Sequence, residues 1–305
     1  MAIDAASVSI SGDDNSLVKA NDISTLSTSK KVNYSEDRSV WFAKIETMRR
    51  IGRLPMFWWL FSVLFVLTLW QIAAQYIVAR PSVFPTLPLI AGAGVALATQ
   101  GFQGQTLLSD IFASVGRIGL GFGLSVVLGV LIGFSMTVSK VFFRLVDPWL
   151  QFIRPIPPLA YIPLLIVWFG IGPTPKILTI IVGTIPVIIL GTVGGARGVS
   201  NDFIRVAQSL GATKSQVIRL VVFPATLPSI FTSMRTGIGI AWTYLVAAEL
   251  IAARSGLGWL VQNAAQSLSI STVIAAIVII GGLGYLMDSV IRIAEHLIVP
   301  WKGKI

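Results

Sequence analysis

The residues of this chain best suited to chemistry are charges set inside apolar sequence: Arg117, Arg154, Arg235, Glu249, Asp288 and Arg292. An ionised side chain in hydrocarbon is costly, so each is a candidate for a solute path, a gate or an ion pair. Asp288 and Arg292 lie four apart and read as a pair on one helix face, with Arg235 expected either to pair with Asp288 or to face a second subunit. Arg154 borders the proline-broken run RPIPPLAYIP. With Pro157 and Tyr161 it is expected to line a translocation path or gate. Thr243 and Tyr244 offer hydroxyls to the same path from a later apolar run, and Glu249 offers a carboxylate to an outer gate or to helix packing. The excess of arginine over acid suits an anionic solute, although helix ends and structural pairs produce the same excess.

Other chemistries are excluded by what the chain lacks. It has no cysteine and a single histidine, His296. Disulfides, thiolate metal sites and cysteine nucleophiles are therefore absent, and a zinc or haem site has no ligand set. The glycine-rich run GRIGLGFG is not followed by the Gly-Lys-Ser/Thr of a phosphate loop and lies within an apolar helix. Its residues Gly116, Gly119, Gly121 and Gly123, with Gly129 and Gly133 further on, read instead as small positions for close helix packing. No cofactor is expected on this chain, and ATP and Mg²⁺ would have to bind another.

The elements that position these residues are membrane helices. The chain of 305 residues is 54% hydrophobic and only 12% charged, with a mean hydropathy of +0.82. Soluble domains carry about 25% charged residues, so lipid is the main solvent here. Runs of about 20 apolar residues predict an all-α protein with six transmembrane helices, near residues 57–79, 110–138, 148–170, 177–196, 229–252 and 272–293. Prolines 155, 157, 158 and 163 mark the third as a broken span facing protein or a cavity rather than lipid. Residues 90–100 and the stretch SGLGWLVQNAAQSLS are expected as short surface helices, with Trp259 at headgroup level. The polar residues 1–50 read as a disordered tail, ahead of a transmembrane domain over 51–305 with its core at 107–297.

Lysine and arginine set the orientation. Arg49, Arg50 and Arg53 precede the first span and predict a cytoplasmic N-terminus. Lys140, Arg144, Arg197, Arg205, Lys214, Arg219, Lys302 and Lys304 then fall on the same side, against Arg80, Lys176 and Arg254 opposite. The net charge of +10 is thus a topology signal, and no nucleic-acid partner is expected.

Residues 202–228, within the loop 197–228, are polar sequence between apolar spans. They read as two short amphipathic helices turning at Gly211, the first capped by Asn201 or Asp202 and the second by Thr213 or Ser215. Pro224 and Pro228 punctuate entry to the next span.

This loop, RVAQSLGATKSQVIRLVVFPATLP, taken with LVDPWLQFIRPIPPLAYIPLLIVWFGIGPTPKI and TSMRTGIGIAWTYLVAAELIAARSGLGWLVQNA, resembles the permease family of nitrate, sulfonate, taurine and bicarbonate ABC importers over residues 107–304. The resemblance implies a type I importer transmembrane domain in the bacterial inner (plasma) membrane, multi-pass, with both termini cytoplasmic. It further implies a homodimer with two ABC ATPase subunits and a periplasmic solute-binding protein. Phe203, Arg205, Val206, Ala207, Ser209, Leu210, Gly211 and Ala212 become the coupling loop on which the ATPase docks. The family's Glu-Ala-Ala opening is Arg205-Val206-Ala207 here, so the docking shape is expected to persist with altered charge. String-level likeness favours taurine or another alkanesulfonate as solute, with nitrate, nitrite or bicarbonate next. An ion channel or membrane-embedded enzyme is the alternative class; it would need neither the loop nor an ATPase.

Overall fold

The computed structural model describes residues 55–78 and 82–302. The tail 1–50, Arg49, Arg50, Arg53, Arg80 and Lys304 lie outside the described residues. All regular structure among those described is helical. Helix α1 spans Pro55–Ile72 and ends in a π turn, Ala73–Val78. Contacts divide the chain at Val66 and Leu67. In the first unit Phe61 packs edge-on to Trp58 and stacks with Phe65. In the second, the Trp70 indole donates to the Pro85 carbonyl (3.1 Å) and stacks on Phe84. The Gln71 amide oxygen accepts from Leu87 N–H (3.0 Å). It thereby caps α2, Leu87–Gln100, whose Thr86 makes no side-chain cap. This is the expected short helix, three residues longer at its start.

Among the described residues, four helices are long and apolar enough to cross a membrane. Helix α3 covers Leu107–Val138, capped by Thr106 accepting from Ser109 N–H. Helix α6 covers Pro173–Arg197, α9 covers Phe223–Ala252 and α11 covers Ile270–Ile298. The third expected span, 148–170, is not one helix. Amphipathic α4, Lys140–Ile153, stops at a turn around Arg154. A 3₁₀ turn, Pro158–Tyr161, then leads into α5, Ile162–Phe169. Pro157 precedes another proline, whose ring disfavours helical backbone at the residue before it; it sits extended at ψ 124°.

Helix α6 is the hub. Of the glycines on α3, Gly121, Gly129 and Gly133 face it, whereas an added Cβ on Gly116, Gly119 or Gly123 would meet nothing within 4 Å. A Cβ at Gly129 or Gly133 would stand 2.7 Å from the Cβ of Ile188 or Thr192, so the backbones approach as small residues permit. Between these contacts the Thr184 hydroxyl donates to Ser125 Oγ (2.6 Å) and to the Ile180 carbonyl (2.7 Å), satisfying two buried hydroxyls. A Gly129→Val change is expected to cost about 1–3 kcal/mol through overpacking. It would be read as a lowered melting temperature of the detergent-purified protein, and an unchanged one would show that the seam yields.

On its other face α6 meets α9, where Gly191 and Gly195 lie against Ser233 and Ser229 so closely that neither tolerates a Cβ. The main apolar core joins α3, α9 and α11, with Ile118, Phe122, Trp242, Leu245 and Ala276 buried at its centre. Helix α10, Leu257–Gln266, packs into this core through Leu257 and Leu260. Trp259, expected at headgroup level, is half-buried against the same cluster.

Candidate functional site

At one end of the bundle, α6 turns at Gly198 into α7, Asn201–Ser209. Ser200 is the cap, accepting from Asp202 N–H, in place of the expected Asn201 or Asp202. The turn beyond α7 uses Gly211 at φ +84°, a left-handed conformation that glycine adopts without steric cost. Thr213 then forms a reciprocal capping box with Gln216. The second amphipathic helix is not free-standing. Its turn α8, Lys214–Val217, runs through a π turn, Ile218–Val222, straight into α9. The N–H of Phe223 reaches back five residues to Ile218. Pro224 falls in the first turn of α9 and Pro228 inside it, so residues 214–251 form one rod of 38 residues.

Helix α7 has two apolar faces with different surroundings. Ile204 and Ala207, with Ala212 after the helix, pack against Ala196, Val217 and Val222. Phe203, Val206 and Leu210 stand 50%, 60% and 83% exposed, at the three- and four-residue spacing of a single stripe. Arg205 and Ser209 are exposed beside them, and Arg205 makes no ion pair among the described residues. An exposed apolar stripe on a capped, rigidly seated helix is the geometry of a protein-docking surface.

A line of three clefts that share lining residues runs from this end along the α6–α9 seam. It opens beside Phe203, Ser200, Trp301 and Lys302 (about 400 Å³). It continues past Gly191, Gly195, Ser229, Thr232 and Thr236 (about 460 Å³) and ends in a cleft of about 410 Å³. Arg154, Tyr244, Thr236, Val182 and Pro186 line that cleft. Pro186 has no N–H, so the carbonyl of Val182, a residue of the cleft wall, lacks its helical donor; Pro228 likewise leaves the Pro224 carbonyl without one. Such interrupted backbone is tolerated within a membrane where it lines a cavity. The groove thus combines one guanidinium and several hydroxyls with apolar walls. A roomier groove, about 880 Å³, lies between α3, α4 and the π turn but is apolar apart from Ser135, Ser139 and Arg219. It suits a hydrocarbon chain better than a hydrophilic solute.

Of the residues expected on the path, the structure brings Arg154 and Tyr244 together in the cleft. Pro157 is exposed at the α4–α5 break, and Tyr161 closes the 3₁₀ turn half-buried. Thr243 is exposed with its hydroxyl donating to the Gly239 carbonyl (3.1 Å). Glu249 is buried in the bundle and lines none of the groove. Ser229, Thr232, Thr236 and Pro186 went unnoticed in the sequence. The signal was there: hydroxyls at three- and four-residue spacing on α9, opposite a Gly-x-x-x-Gly pair on α6.

Arg117, Arg235, Glu249, Asp288 and Arg292 are all in ion pairs. Arg235 Nε donates to Asp288 Oδ1 (2.9 Å), and Arg292 Nη2 to Asp288 Oδ2 (2.6 Å), tying α9 to α11. Buried Lys176 donates to the Gly172 carbonyl (2.8 Å) at the start of α6. Glu249 pairs with Arg117. Beyond α11, Lys302 pairs with buried Glu295 and holds Trp301 against the core.

A multi-pass helical bundle with an exposed apolar stripe on a helix at one end and clefts bearing hydroxyls along its α6–α9 seam has the geometry of a membrane transport subunit. Residues 125–299 match the family described as the binding-protein-dependent transport system inner membrane component. The chain is 38% identical over 248 residues to the taurine transport system permease protein TauC of Escherichia coli (strain K12), covering 81% of this chain and 86% of that one. It is 35% identical to the putative aliphatic sulfonates transport permease protein SsuC of Bacillus subtilis (strain 168), over 78% of this chain and 85% of that one. Identity to the nitrate import permease protein NrtB of a Synechocystis species is 36%, over 64% and 71% of the two chains. In fold it is similar to a chain of the MetNI methionine ABC transporter, with a TM-score of 0.55, 21% identity, and coverage of 64% of this chain and 94% of that one. The protein belongs to the ABC importer permease family.

Proposed function

We propose that this chain is the permease subunit of an ATP-driven importer that moves a small anionic or zwitterionic solute, with taurine or another alkanesulfonate as first choice. The observation that carries the coupling half of this reading is the exposed stripe Phe203, Val206 and Leu210 on a helix that is otherwise seated on α6, α8 and the π turn. Two ABC ATPase subunits, carrying ATP and Mg²⁺, dock there, one on each copy of a homodimer. The second copy faces the α6–α9 groove and completes a path that one chain lines on one side only. Lysines and arginines around α7 support a cytoplasmic position for that end and for both termini, in a bacterial inner membrane. A periplasmic binding protein delivers solute at the α10 end. Approach of the ATPases moves the two α7 helices, and the rod 214–251 carries the displacement along the groove.

The taurine reading rests on the identity to TauC, supported by the guanidinium of Arg154 in the cleft, which suits a sulfonate. The identity to a nitrate permease favours nitrate, nitrite or bicarbonate as the second reading. ATP hydrolysis by the reconstituted complex, stimulated by its binding protein loaded with each solute in turn, separates them. Taurine or an alkanesulfonate is expected to stimulate; stimulation by nitrate and not by taurine overturns the first choice.

A further inference from the structure

The N-terminus of α10 is held by side chains from two other helices. Asp110, Ser114 and Arg117 recur on one face of α3, and Glu249 reaches toward them from the last turns of α9. Asp110 Oδ1 accepts from Gly256 N–H (2.8 Å), Ser114 Oγ from Leu257 N–H (2.9 Å) and Glu249 Oε2 from Gly258 N–H (2.9 Å). These are the cap and first two positions of α10, whose cap residue has no side chain of its own. The N–H groups left open by the start of a helix are thus satisfied from α3 and α9. Ser114 also donates to both Glu249 oxygens (3.0 Å each). Arg117 donates to Glu249, to the Ser255 carbonyl (2.8 Å) and to Ser255 Oγ (3.1 Å). Asp110, Ser114 and Glu249 are at most 1% exposed. Gly256 sits at φ +119°, where any Cβ would collide with Glu249 and Arg117.

Leu257 and Leu260 already pack α10 into the core, and the clasp in addition satisfies the first N–H groups of this buried helix start. What the ionic clasp adds is directional rigidity between α10 and α9. Glu249 stands near one end of the rod 214–251, and the other end emerges from the α7 turn. Past its far end, α10 closes on Leu268, which is 80% exposed and held at φ +57°. The adjoining Ser267 accepts from Gln103 of the α2–α3 turn (3.3 Å). Leu268 thus projects outward at the α10 end of the subunit.

We infer that Glu249, with Ser114 and Arg117, is a positioning residue that clasps α10 to α9, so that a protein landing on the α10 end shifts the α7 end through one continuous helix. The inference rests on the reading of α7 as the ATPase-docking element. Glu249→Gln breaks the clasp with little change of volume. An amide offers one acceptor oxygen, and its NH₂ then confronts Arg117 or the Gly258 N–H, both donors. Ser114→Ala removes one acceptor and one donor and keeps the rest.

The test uses the full complex in lipid nanodiscs, with ATPase turnover measured with and without loaded binding protein, alongside ATPase copurification and the melting temperature. Glu249→Gln is expected to assemble with its ATPase while the stimulation ratio falls about tenfold, the scale of one charge-assisted hydrogen bond, and Ser114→Ala lies between it and the unmodified protein. A purely structural role would lower the melting temperature and leave the ratio intact. Equal ratios in an assembled Glu249→Gln complex overturn the inference. If that variant does not assemble, an unchanged ratio in Ser114→Ala does so. Failure of the unmodified chain to retain an ATPase would instead refute the docking reading.

Discussion

A Leu210→Asp variant is expected to insert in the membrane normally and to lose its ATPase on purification. Leu210 is the most exposed residue of the α7 stripe, and its side chain supports nothing in its own subunit. The folded permease therefore loses little by the change. At the interface, however, the substitution buries a carboxylate where an apolar anchor belongs. Truncating such anchors costs about 2–4 kcal/mol, roughly 30- to 1,000-fold in affinity, and transport falls with it. The matched control is Ala207→Ser, on the face of α7 turned toward its own helices, which should leave copurification intact. Retention of the ATPase by Leu210→Asp at wild-type stoichiometry would mean that docking occurs elsewhere.

The largest stability effect is expected from Arg117→Ala. The guanidinium is the cationic partner of a buried carboxylate and also holds Ser255 through two hydrogen bonds. Removing one member of a buried pair costs about 3–5 kcal/mol, because the other is left charged in a poorly solvating interior. Thermal melting of the purified protein should show the loss directly. Combining Arg117→Met with Glu249→Leu should recover part of it, since the unpaired charge is gone, but not all, since Gly258 N–H and the Ser255 carbonyl remain without partners. A double variant as unstable as Arg117→Ala would show that the hydrogen bonds to the α10 turn, rather than the charge pair, carry the stability.

Much of this architecture was legible because hydropathy and turn chemistry are local. Long apolar runs located α3, α6, α9 and α11, and the run of prolines foretold that the stretch 148–170 would break. Glycine at 211 marked its corner, and Asp288 at four residues from Arg292 marked its pair. What was not legible depends on distance in space. Ser200 took the cap because α7 begins at Asn201, ahead of where the polar pattern suggests. The π turn at 218–222 merged α8 with α9 because an extra residue per turn accommodates Pro224 without ending the helix. Arg117 and Glu249, 132 residues apart, carry no mutual signal in sequence. Their partners are backbone N–H groups, which every residue but proline possesses. The groove was missed for a related reason: Ser229, Thr232 and Thr236 read as ordinary hydroxyls within a helix until α6 is laid beside them.

The central claim is that α7 presents Phe203, Val206 and Leu210 to an ATPase. The chain contains no cysteine, so a cysteine introduced at any position is the permease's only thiol. The most direct measurement places one cysteine at a time at 203, 206 and 210, and at exposed Val167 and Trp149 as controls, and follows cross-linking to the copurified ATPase with a short thiol-to-amine reagent. Cross-links at the three α7 positions that change in yield when ATP is added, with none at the controls, are the expected result. Equal labelling at α7 and control positions, or cross-links confined to the controls, would contradict it.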